Sequence, residues 1–181
     1  EELLERYISL LVPLAEKMVG KEGQDGYDAV VFLDKSARPL RWMLSRFWPH
    51  IAPQYRNEEG ELVTAPKPKM LFSNIDRLAW RKDPLKEFDD GGMRTATKED
   101  ILGLRSIYTK SENENLDNQR ILLVDEQSET GDTLRVAKHL FQSAFPTSEV
   151  QTTAWIEHQY RVDSRGTRET SVKEIPMWDQ P

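Results

Sequence analysis

The stretch ILLVDEQSETGDTL, Ile121 to Leu134, decides the fold. Four apolar residues end in two adjacent carboxylates, Asp125 and Glu126. Thr130-Gly131-Asp132-Thr133 then leads into the apolar-periodic LRVAKHLFQSAF. A short apolar run bounded by turn signals reads as a buried strand, and the periodic segment after it reads as a helix. The expectation is therefore a strand, a tight loop at its carboxyl end, and a helix that starts at that loop. In open parallel sheets ligands bind at the carboxyl ends of strands, and helix N-termini attract phosphate. Carboxylates beside a cradle of small residues suit a ligand that is both a polyol and a phosphate, such as a sugar phosphate.

A second unit of the same kind lies upstream. YDAVVFLD, Tyr27 to Asp34, reads as a buried strand, and KSARP is the loop after it. LRWMLSRFW then sets Leu40, Met43, Leu44, Phe47 and Trp48 at helical spacing, with Pro39 in a first turn where a missing N–H costs nothing. Lys35, Ser36, Ala37 and Arg38 fall in or beside that loop. Two readings stand for its cations: anion contacts facing the phosphate loop, or ordinary solvated charges.

The rest of the chain supplies the layers. Leu3, Leu4, Tyr7, Ile8, Leu11, Leu14, Ala15 and Met18 predict an amphipathic helix over one sheet face, kinked or split at Pro13. KMLFSNID (Lys69 to Asp76) and SEVQTTAWIE (Ser148 to Glu157) read as further strands, the second following a helix stop at Pro146. His50 to Pro68 and HQYRVDSRGTRE read as loops or small hairpins. Thr97 with Asp100 three residues on resembles a helix cap, ahead of a face made by Ile101, Leu104, Ile107 and Tyr108. The fold class expected is α/β: an open, mostly parallel twisted sheet with helices on both faces, as one domain over residues 1–181.

Composition sets bounds on function. The 181 residues suffice for one core, and a 38% apolar fraction with many charges suits a soluble α/β protein. A net charge of −6 argues against nucleic acid as the main partner, while leaving room for a local basic site. With no cysteine there is neither a disulfide framework nor a Cys-based zinc site, which is compatible with a cytoplasmic protein. No apolar run approaches the roughly 20 residues of a membrane helix. His50, His139 and His158 are scattered without metal-ligand spacing. The chain opens on Glu1, as a piece of a longer protein would.

An apolar run, an acidic pair, three variable residues and Thr-Gly-x-Thr together resemble the phosphoribosyl pyrophosphate motif of type I phosphoribosyltransferases. DKSARP and the strand end Asn74-Ile75-Asp76-Arg77 are similar to loops in a poorly characterised bacterial branch of that family. The resemblance implies that Asp125 and Glu126 face the ribose hydroxyls and a Mg²⁺ ion. It implies that Glu129, Thr130, Gly131, Asp132 and Thr133 form the 5-phosphate loop, and that Lys35 to Arg38 meet pyrophosphate, often through amides held by a cis peptide. Arg77 either meets an anion or pairs with Asp76. Residues 81–97 correspond to the family's mobile lid, with Arg81, Lys82, Arg94 and Lys98 as its candidate contacts. Residues from about 158 to 181 correspond to part of a small hood formed by the chain ends, where Trp178 either stacks on a base or plugs the core, and Lys173 reaches an exocyclic oxygen.

The activity implied is Mg²⁺-dependent transfer of a phosphoribosyl group from phosphoribosyl pyrophosphate to a nucleobase. Glu129, where family members acting on 6-oxopurines carry an acid, points to a purine and to proton transfer at the base; alternatively only its amide serves the phosphate. Homodimers are common in the family. Gln127, Ser128 and Asp132 depart from the usual motif, and the first loop lacks the usual Gly-Gly or Arg-Gly. These departures motivate a second expectation, a regulatory module that senses phosphoribosyl pyrophosphate or a nucleotide without turnover.

Overall fold

The computed structural model describes residues 2–20, 26–57, 59–75, 97–109, 115–128, 132–157, 159–162 and 168–171. In chain order the elements are α1 (Glu2–Val19), β1 (Ala29–Leu33), α2 (Arg38–Ile51), β2 (Gln54–Arg56), β3 (Leu62–Thr64), β4 (Lys69–Ser73), α3 (Lys98–Tyr108), β5 (Arg120–Ser128), α4 (Asp132–Ala144), β6 (Glu149–Glu157), β7 (Gln159–Val162) and β8 (Arg168–Ser171). Four strands form one parallel sheet in the order β4-β1-β5-β6. Two antiparallel hairpins, β2–β3 and β7–β8, stand apart from it in pairing.

The two central strands are apolar on both sides because helices cover both sheet faces. Alternate residues then serve opposite layers. Ala29, Val31, Leu33, Ile121 and Leu123 pack with Leu104 and Tyr108 of α3 and with Ala137, Leu140, Phe141 and Ala144 of α4. Val30, Phe32, Leu122 and Val124 pack instead with Leu11, Leu14, Ala15 and Met18 of α1 and with Leu40, Leu44, Trp48 and Ile51 of α2. Every residue of β1 is buried. The expected α/β class with helices on both faces is what the chain adopts.

Local expectations resolve in different ways. Pro13 lies inside one continuous helix rather than dividing it. Thr97 caps α3 with a reciprocal box: its Oγ1 accepts from Asp100 N at 3.2 Å, and its own N–H donates to Asp100 Oδ2 at 2.9 Å. Ile107 corrects the reading of the α3 face. Leu104 and Tyr108 are buried, but Ile107 is 52% exposed, because the helix packs through a narrower stripe than the apolar pattern suggested. The segment His50 to Pro68 contains the β2–β3 hairpin, tied to α2 by Trp48 Nε1 donating to Ala65 O at 3.1 Å. His139 is exposed on α4. No helix among the described residues is long and apolar enough to cross a membrane.

Gly26 fits the return from α1 to β1 for a steric reason. A side chain there would run into the Val19 backbone, with the carbonyl oxygen nearest. The Gly26 carbonyl also accepts from Arg120 Nη1 at 3.1 Å, joining the amino ends of β1 and β5.

Candidate functional site

The strand order fixes where a ligand would go. From β1 the chain crosses to β4 on one side, then returns past β1 to β5 and continues outward to β6. Connections leaving β1 and β5 therefore diverge, and the helix after each covers a different face: α2 after β1, α4 after β5. That divergence is a topological switch point, where open sheets leave a crevice beyond the strand ends. The two loops singled out in the sequence are the two that flank it.

At the end of β1 the chain turns through Asp34 at φ 57°, a left-handed conformation that Asp tolerates better than most residues. The Asp34 amide donates to Ser73 O at 2.8 Å, and its Oδ1 accepts from Ile75 N at 2.7 Å. These bonds lock the β1 loop to the end of β4. Lys35 and Ser36 are exposed at the crevice edge. Ala37, by contrast, is fully buried in the α1–α2 layer, so only its backbone is available to a ligand. Arg38 opens α2 with its guanidinium 4.5 Å from the centroid of the Phe72 ring. Arg41 Nε donates to Met70 O at 3.1 Å. No peptide bond among the described residues is cis.

At the end of β5 the strand stays paired with β6 beyond the apolar run, through Asp125↔Ala154 and Gln127↔Ile156. Extended backbone points successive side chains to opposite faces. Asp125 follows Ile121 and Leu123 onto the α4 face and is 7% exposed. Glu126 follows Leu122 and Val124 onto the α1–α2 face and is half-buried. Adjacent in sequence, the two carboxylates are divided by the sheet. α4 begins at Asp132, with three residues between it and the end of β5, and packs on the same layer as Asp125. Thr133 in its first turn is half-buried.

The remaining candidates Glu129, Thr130, Gly131, Arg77 and Trp178 lie outside the described residues, as do the lid segment before Thr97 and residues 172–181. Lys98 is exposed in the first turn of α3. The β7–β8 hairpin falls within the segment assigned to the hood. Sequence reasoning missed Asp34, which it counted as the last strand residue. The available signal was an Asp closing an apolar run before Lys-Ser, a residue type that favours turns.

Among the described residues no three His, Asp or Glu side chains cluster as a metal cage would require. No family model matches the chain, and no curated protein matches it.

Proposed function

We propose that the chain transfers a phosphoribosyl group from phosphoribosyl pyrophosphate to a nucleobase, by preference a purine, releasing pyrophosphate with Mg²⁺ as cofactor. One observation carries the reading: two strand-loop-helix units meet at a switch point, and a buried carboxylate, Asp125, shares a layer with the helix that follows the Thr-Gly-x-Thr loop. A polyol and a phosphate are the chemistries those two features favour.

In this reading the residues divide the work. Asp125 accepts from ribose hydroxyls, and its charge favours the positive sugar centre that develops as the C1–O bond breaks. The loop from Glu129 to Thr133 holds the 5-phosphate. Lys35, Ser36 and the backbone at Ala37 meet the departing pyrophosphate, with Arg38 and Arg77 as neighbouring cations. Glu129 takes the proton released as the base nitrogen joins C1, and Trp178 stacks on the base. Mg²⁺ supplies further charge neutralisation on the leaving group when bound. The donor set suits an ion that arrives with its ligand, since such ions keep waters and use only one or two carboxylates. Asp125 would hold it; Glu126, expected from the sequence as a second carboxylate, lies on the other face of β5 and would not share the same ion.

The test is a mass-spectrometric screen of nucleobases with phosphoribosyl pyrophosphate and Mg²⁺. A nucleoside monophosphate and pyrophosphate should appear with at least one base, and Asp125→Asn/Glu126→Gln should abolish both. Glu129→Gln should lower turnover far more than ligand binding. Binding by calorimetry with no product across the panel would replace transfer with the sensing role.

A further inference from the structure

The net charge of −6 conceals a sharp segregation. From Lys35 to Asn57 the chain has five Lys or Arg residues (Lys35, Arg38, Arg41, Arg46 and Arg56) and no Asp or Glu. Most of that run is α2. Its buried side carries Leu40, Leu44, Trp48 and Ile51. The outward side carries Arg38, Trp42 and Arg46 at i, i+4 and i+8, a ridge roughly 12 Å long. All three are exposed, and Trp42 is 64% exposed, the highest among the large apolar side chains described. Among the described residues no carboxylate pairs with Lys35 or Arg46.

An indole left largely in water, with an arginine one helical turn before it and another one turn after it, needs a reason. A solvated helix face would not need a tryptophan, and a protein-docking face would surround it with apolar neighbours that form a buried centre. Here the positions one turn to either side along the ridge are arginines, Arg38 and Arg46. Arginine matches phosphate geometry through its planar fork, and an exposed indole offers a sequence-tolerant platform for a base. We propose that the α2 ridge binds single-stranded nucleic acid, with one base stacked on Trp42 and phosphates on Arg38 and Arg46. The acidic remainder of the molecule repels a longer polyanion and confines contact to a short stretch of strand. The ridge shares Arg38 with the transferase reading, but Trp42 and Arg46, the residues varied below, take no part in the proposed reaction.

The experiment is fluorescence anisotropy of the whole chain with a labelled oligouridine of about 20 nucleotides, at roughly 50 and 200 mM salt. Binding should weaken with salt by a log–log slope of about −0.7 for each phosphate neutralised. Trp42→Ala should lower affinity about tenfold with the slope unchanged. Arg46→Gln should make the slope shallower by about 0.7. Both side chains are exposed, and unchanged thermal melts would establish that the variants fold. Polyglutamate of similar length should not displace the oligonucleotide. No binding at low salt, full affinity in Trp42→Ala, or equal competition by polyglutamate would each overturn the proposal, the last by making the ridge an acidic-protein site.

Discussion

Asp34 and Ile75 are joined across the ends of β1 and β4 by a 2.7 Å hydrogen bond from the Ile75 amide to Asp34 Oδ1. The same residue holds a positive φ, so its side chain and backbone fix the loop together. Asp34→Asn keeps both the acceptor and the tolerance of that conformation. Asp34→Gly keeps only the conformation, and Asp34→Ala keeps neither. Costs in urea unfolding should rise in that order, reaching about 2 kcal/mol or more for alanine. An alanine variant no less stable than the glycine variant would mean the left-handed turn matters little.

The division of Asp125 from Glu126 makes the pair separable. If one face of β5 meets the ribose, Asp125→Asn should weaken phosphoribosyl pyrophosphate binding in Mg²⁺ about tenfold or more, a loss of about 1.4 kcal/mol. Glu126→Gln should lose clearly less. Isothermal calorimetry on the single variants decides this; equal losses would assign both carboxylates to one ligand.

Lys17 donates to Thr153 Oγ1 at 3.1 Å, and burial lowers its pKa from the usual lysine value. In the interval between the lowered folded value and about 10.4, the unfolded chain binds the proton that the folded chain has released. Stability contributed by this group therefore rises with pH through that interval, and the cost of burying the charge is fully present below it. Lys17→Met should remove that rise. Parallel stability–pH curves for the two proteins would show that Lys17 is not the source.

At the start of α3, Thr97→Ala should cost about 1 kcal/mol and Asp100→Ala a similar amount. The two side chains serve one reciprocal box, so the double variant should cost less than the sum. Strict additivity in chemical denaturation would show that the two hydrogen bonds act separately.

How much of this was legible varied with the physics involved. VVFL and ILLV could be read as central strands because burial on both faces demands unbroken apolar runs. Thr97 and Asp100 could be read as a cap because the bonds are local. The Asp34 turn was not legible, since it depends on where the end of β4 lies. The separation of Asp125 from Glu126 was missed because it depends on β5 remaining extended past its apolar run, which pairing with β6 decides. Ile107 illustrates the same limit. Helical periodicity names a face, but how wide a stripe is covered depends on the neighbouring helix.

Both candidate loops hang from β1 and β5, the strands enclosed by neighbours on either side and by helices above and below. Amides in such strands exchange with solvent mainly through global opening, whereas edge strands and surface hairpins open locally. The anchor points of the crevice should thus be among the last parts of the molecule to take up deuterium. A ligand there would find its supporting strands already ordered.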